Sequence, residues 1–98
     1  MPGNKRGVLI SFEGVEGSGK TTQARALVAW LGNTGLPFVF VREPGGTQVG
    51  EMIRSILLQP GLTVNPRCET LLFLAARSQL VAETILPALR DHKIVVTD

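Results

Sequence analysis

Gly14, Gly19, Lys20 and Thr21 stand at the spacing G-x-x-x-x-G-K-[ST], a pattern suited to holding a chain of phosphates. Glycines let the backbone wrap with its amide hydrogens facing inward, and the first turn of a following helix adds unpaired amides and the positive end of its dipole. Together these make a polyphosphate cradle. Lys20 is long enough to reach β- and γ-phosphate oxygens, and the Thr21 hydroxyl is a hard ligand for Mg²⁺. The candidate nucleotide-binding residues are therefore Gly14, Val15, Glu16, Gly17, Ser18, Gly19, Lys20, Thr21 and Thr22. The alternative is a plain glycine turn with a solvated lysine and a threonine helix cap.

The cradle works only between a strand and a helix, and the flanking residues supply both. "GVLISFE" before it reads as a short buried strand, being rich in branched and aromatic side chains. After it, Ala24, Leu27, Val28 and Leu31 recur at helical spacing, and "GNTGLP" predicts a stop near Gly32. "FVFVR" reads as a second strand, so strand, helix, strand implies a right-handed parallel crossover. Val49, Met52, Ile53, Ile56 and Leu57 mark a second helix face after the "EPGGT" turn. A third helical stretch is predicted from about Arg67 to Arg90, kinked or restarted at Pro87, before "KIVVTD" closes a third strand.

The fold class is thus α/β, a parallel sheet with flanking helices. At 98 residues, 44% of them hydrophobic and 18% charged, the composition is that of a globular domain rather than a disordered chain. Ten Lys or Arg against eight Asp or Glu, spread without a basic block, gives no nucleic-acid footprint. Cys68 has no second cysteine to pair with, no signal pattern opens the chain, and no apolar run reads as membrane-spanning, so a cytoplasmic setting is expected. Cys68 itself reads as a buried or partly buried helix residue, and His92 as a surface loop residue.

The ordered set "FEGVEGSGKTTQ", "REPGGTQVGEMIR", "LLFLAARSQL", "ILPAL" and "VVTD" resembles bacterial thymidylate kinase over nearly the whole chain after its first residues. The resemblance implies a P-loop NTPase-type sheet with three strands in the order 2-3-1, transfer of the ATP γ-phosphoryl group to dTMP, Mg²⁺ as the accompanying ion, and a homodimer. It also implies roles residue by residue. Arg42 and Arg54 hold the acceptor phosphate, a task suited to a planar guanidinium fork, with Arg42 and Lys20 catalytic. Phe73 stacks on thymine and Arg77 reaches a base oxygen. Glu43, set by a cis Glu43–Pro44 bond, and Glu16 lie near the sugar, and Asp98 supports Mg²⁺ opposite Thr21.

Each role has a plainer rival: Arg54 solvated or paired with Glu51, Arg42 a strand-end charge, Phe73 a core residue, Pro44 a trans turn, and Glu16 and Asp98 solvated. Residues 1–6 are expected to be a flexible lead-in and residues 7–98 the N-terminal portion of one kinase domain. The abrupt stop after the third strand favours a fragment, with apolar sheet edge left exposed. Other readings are a nucleotide-binding module without turnover and a kinase for another nucleoside monophosphate.

Overall fold

The computed structural model describes residues 7–13 and 19–98. The lead-in, residues 1–6, and residues 14–18 of the glycine loop lie outside them. Eight elements follow in order: β1 (Val8–Ser11), α1 (Lys20–Thr34), β2 (Phe38–Val41), α2 (Gln48–Leu57), α3 (Pro66–Leu80), a π-helical turn (Val81–Ile85), α4 (Leu86–Arg90) and β3 (Ile94–Thr97). They divide into two compact units, one of Met1–Val41 with Leu86–Asp98 and the other of Arg42–Ile85.

The first unit contains the sheet. Its order is β1-β3-β2, all parallel, with Ser11 and Val41 both opposite Thr97; this is the 2-3-1 order expected from the resemblance. The central strand is the continuous apolar run, as a strand with a neighbour on each side should be. Val95 and Val96 are wholly buried, and Thr97 is nearly so. α1 packs on β3 through a stripe in which Ala24 and Leu31 are buried and Leu27 and Val28 half-buried.

β1 departs from the buried strand predicted for it. Val8 and Leu9 are 55% and 49% exposed, whereas β2, the other outer strand, is half-buried to buried. α1 also runs past Gly32 to Thr34. Gly32 stays helical and the second glycine of "GNTG", Gly35, takes the left-handed conformation at φ 79° and closes the helix.

In the second unit α2 packs against α3. The apolar face predicted for α2 is only partly covered: Ile53 and Leu57 are half-buried, whereas Val49, Met52 and Ile56 are exposed. α3 starts with Pro66 in its first turn, after Asn65, whose side chain accepts from the Cys68 N–H at 2.8 Å. Cys68 is exposed, contrary to its buried reading, because the first turn of α3 presents it outward beside that cap.

The expected disturbance at Pro87 takes the form of the π-helical turn Val81–Ile85, just before it. Proline has no N–H to donate to the carbonyl four residues back, so the regular ladder cannot pass through that point. The helical stretch Pro66–Arg90, at 25 residues, is long and apolar enough to cross a membrane by length and composition alone, a test that the core helix of a soluble protein also passes. Arg77 lies near its middle, where a charge costs about 2.5–3.5 kcal/mol at a bilayer centre.

α4 ends in a left-handed residue that is not glycine. His92 has φ 62°, and its N–H donates to the Leu89 carbonyl at 3.1 Å while that of Lys93 donates to Ala88 at 3.0 Å. This is the paired helix-closing bond pattern that ordinarily selects glycine. A side chain in this conformation costs about 1–2 kcal/mol, so H92G is expected to raise the unfolding free energy by about 1 kcal/mol in urea denaturation, and H92A to bring no gain.

Candidate functional site

The described part of the glycine loop ends at Gly19, which caps α1 at φ 88°, a conformation that a side chain would strain. The cap has no side-chain hydrogen bond, and the Gly19 carbonyl accepts the first bond of the helix, from the Gln23 N–H at 3.0 Å. Helix starts leave their early N–H groups without intrahelical partners. Lys20 and Thr21 follow at once, in the first turn.

Asp98 reaches this turn from the other side of the chain's length. Its N–H donates to the Val41 carbonyl at 3.1 Å, and the Phe12 N–H donates to the Thr97 carbonyl at 3.0 Å, so the ladders on both sides of β3 carry on to its last residues. The carboxylate is 1% exposed and pairs with the Lys20 ammonium at 2.8 Å. Its other oxygen accepts from the Thr21 hydroxyl at 3.2 Å. A desolvated carboxylate needs such partners, and residues 78 positions apart supply them.

The Thr21 hydroxyl and the Asp98 carboxylate are hard oxygen donors of the kind Mg²⁺ takes, and their direct contact puts both in reach of one ion. The solvated reading of Asp98 does not hold, since the side chain is buried. Thr22 is exposed on the same turn. Gly14, Val15, Glu16, Gly17 and Ser18 lie outside the described residues, so the loop body and the proposed sugar contact of Glu16 have no geometry here.

The second unit builds a different piece of polar machinery from "REPGGTQVGE". The Glu43–Pro44 bond is cis. Thr47 caps α2, its side-chain oxygen accepting from the Gly50 N–H at 2.8 Å, and Glu51 turns back to accept from the Gly46 N–H at 3.0 Å. Gly45 is buried with φ 136°, and a β-carbon on it would collide with the Glu51 carboxylate. Arg54 does not take the Glu51 partner considered for it: the carboxylate is engaged with the turn, and the guanidinium donates to the Pro44 carbonyl at 3.3 Å.

Glu43 and Arg77 come together as a two-bonded ion pair. Nε donates to Oε1 at 2.7 Å and Nη2 to Oε2 at 3.3 Å. No local pattern announces a pair 34 positions apart, and sequence reasoning gave the two residues separate tasks. Thr47 and Glu51 were also missed as builders of the turn, although a threonine just before an apolar-periodic segment is a legible cap signal; Glu51, four residues after it, carries no such signal. Phe73, one helical turn before Arg77, is 44% exposed. Arg42 is exposed directly after β2.

Comparison with known proteins identifies the family. The family model for thymidylate kinase matches residues 12–98. A thymidylate kinase of Pelotomaculum thermopropionicum is 57% identical over 95 residues, covering 95% of this chain and 44% of that protein. One from Symbiobacterium thermophilum is 52% identical over 94 residues, covering 93% and 43% respectively. The chain thus spans less than half the length of these relatives. Among solved structures, thymidylate kinase from Ehrlichia chaffeensis superposes with a TM-score of 0.85 at 37% identity, covering 94% of this chain and 53% of that one. The Candida albicans enzyme does so at 0.76 and 31%, covering 95% and 40%.

The tightness of the "EPGGT" turn has a measurable consequence. G45A is expected to lower stability by about 1–3 kcal/mol in urea denaturation, from left-handed strain and the clash with Glu51. In an E51A background the loss should shrink, because the clashing carboxylate is gone.

Proposed function

Because the chain belongs to the thymidylate kinase family, we propose that the full-length protein carrying it transfers the γ-phosphoryl group of ATP to dTMP, giving ADP and dTDP. The observation that carries this reading is the convergence of Lys20, Thr21 and Asp98 at the start of α1. A nucleotide-binding loop followed by a lysine needs an acid and a hydroxyl at that place for a metal-bound triphosphate.

In this mechanism the early N–H groups of α1 and the Lys20 ammonium take up negative charge on the β- and γ-phosphates. An oxygen of the dTMP phosphate attacks the γ-phosphorus in line as the bond to the β-phosphate oxygen breaks, and ADP leaves; no side chain forms a covalent intermediate. Arg42 and Arg54 hold the attacking phosphate with forked donors. Phe73 offers a flat face to the pyrimidine and Arg77 a donor to its oxygen, with Glu16 toward the sugar, while the Glu43 carboxylate is taken up by Arg77. Thr21 and Asp98 would hold Mg²⁺, which when bound neutralises phosphate charge. Lys20, now paired with Asp98, exchanges that carboxylate for phosphate oxygens when nucleotide arrives.

The proposal extends to the whole protein as a cytoplasmic homodimer, with residues 7–98 as the N-terminal portion of one kinase domain and residues 1–6 as a lead-in. Support for this part comes from the resemblance and from the share of each relative that the chain covers.

In full-length protein, K20A is expected to lower kcat/KM by about 100-fold or more in a coupled assay for ADP release with dTMP as acceptor, because a charge partner of the transferring group is lost. D98N should raise the Mg²⁺ concentration needed for half-maximal rate. Faster turnover of another nucleoside monophosphate than of dTMP, or an unaltered rate in K20A, would overturn the assignment.

A further inference from the structure

The pair between Glu43 and Arg77 has more geometry than stability calls for. Two bonds from one edge of the guanidinium to both carboxylate oxygens fix the plane of the group as well as its position. Yet the Arg77 side chain is 56% exposed and that of Glu43 18%, so solvent screens the attraction and the pair adds little to folding. Orientation is what such a pair supplies.

Glu43 is itself on a fixed base. The next residue's carbonyl accepts from Arg54, and two residues further on the Gly46 N–H is held by Glu51. Arg77 projects from α3 four positions after Phe73, on the same helix face. An exposed aromatic ring and an oriented guanidinium thus stand side by side.

We propose that Glu43 is a positioning residue that orients Arg77 to read an oxygen on the pyrimidine ring of the acceptor. The inference rests on the dTMP kinase reading above and deepens it. A long, flexible arginine loses rotamer freedom when it grips a ligand; one already held by a carboxylate has lost it on folding, so less of the binding free energy is consumed. The guanidinium carries donors only, so it favours thymine, with an oxygen at C4, over cytosine, which has an amino group there. Glu43 thereby sharpens the choice of base by acting through Arg77.

The test is a double-mutant cycle in the full-length protein, with steady-state kinetics on dTMP and dCMP for wild type, E43A, E43Q, R77A and E43A/R77A. E43A is expected to raise KM for dTMP about tenfold with kcat within about twofold, and to narrow the preference for dTMP over dCMP by a similar factor. E43Q, which keeps the side-chain shape and one acceptor, should fall between E43A and wild type, and it serves as the test variant if E43A fails to fold. In the R77A background, loss of Glu43 should add less than about twofold, since its effect runs through the missing arginine.

An equal penalty with and without Arg77 would mean that Glu43 meets the substrate directly and would overturn the positioning role, as would unchanged kinetics in E43A and E43Q. A wild-type protein that phosphorylates no dTMP would overturn the parent reading and this inference with it. An active wild type with additive penalties would overturn only the inference.

Discussion

A buried carboxylate at the end of the central strand organises the nucleotide side of this protein. Asp98 is almost fully removed from water, and its charge is met by Lys20 and Thr21 from the first turn of α1. An unpaired carboxylate there would carry a desolvation penalty that a small α/β unit could ill absorb. The start of α1 is therefore tied to the end of β3. Because Thr97 aligns with both Ser11 and Val41, that tie brings the first turn of α1 to the carboxyl ends of all three strands, where open parallel sheets place their ligands.

The pairing has chemical sense beyond stability. Lys20 retains partial solvent access, 22% of its side chain, so under the function proposed above it would leave the carboxylate for a phosphate without crossing a dry interior. Asp98 then keeps the Thr21 hydroxyl beside it as a ready partner.

The second unit solves a different problem by similar means. Its turn between β2 and α2 contains two adjacent glycines and a cis proline, a stretch that local backbone preference would leave loose. Thr47, Glu51 and Arg54 tie it down through three separate backbone groups, Gly50, Gly46 and Pro44. Side chains from one helix thus hold the loop that precedes that helix. This rigid base is what lets Glu43 grip Arg77 with two bonds.

Much of this was legible in the residues alone. The glycine spacing, Lys20 and Thr21 suggested a phosphate site because that chemistry needs those atoms in a fixed local order, and local order is what a chain directly encodes. Runs such as "FVFV" and "IVVT" declared strands for the same reason, and Pro87 declared a break in its helix. What tertiary structure decided were the long-range partners and the extent of cover. Asp98 meeting Lys20, and Glu43 meeting Arg77, depend on strand register and helix packing across many intervening residues, which no local spacing records. Likewise β1 and the outer face of α2 read as buried from composition, but burial depends on what packs against a face, and that is decided by tertiary contacts rather than by composition. Either glycine of "GNTG" could close a helix, and the second, Gly35, does so.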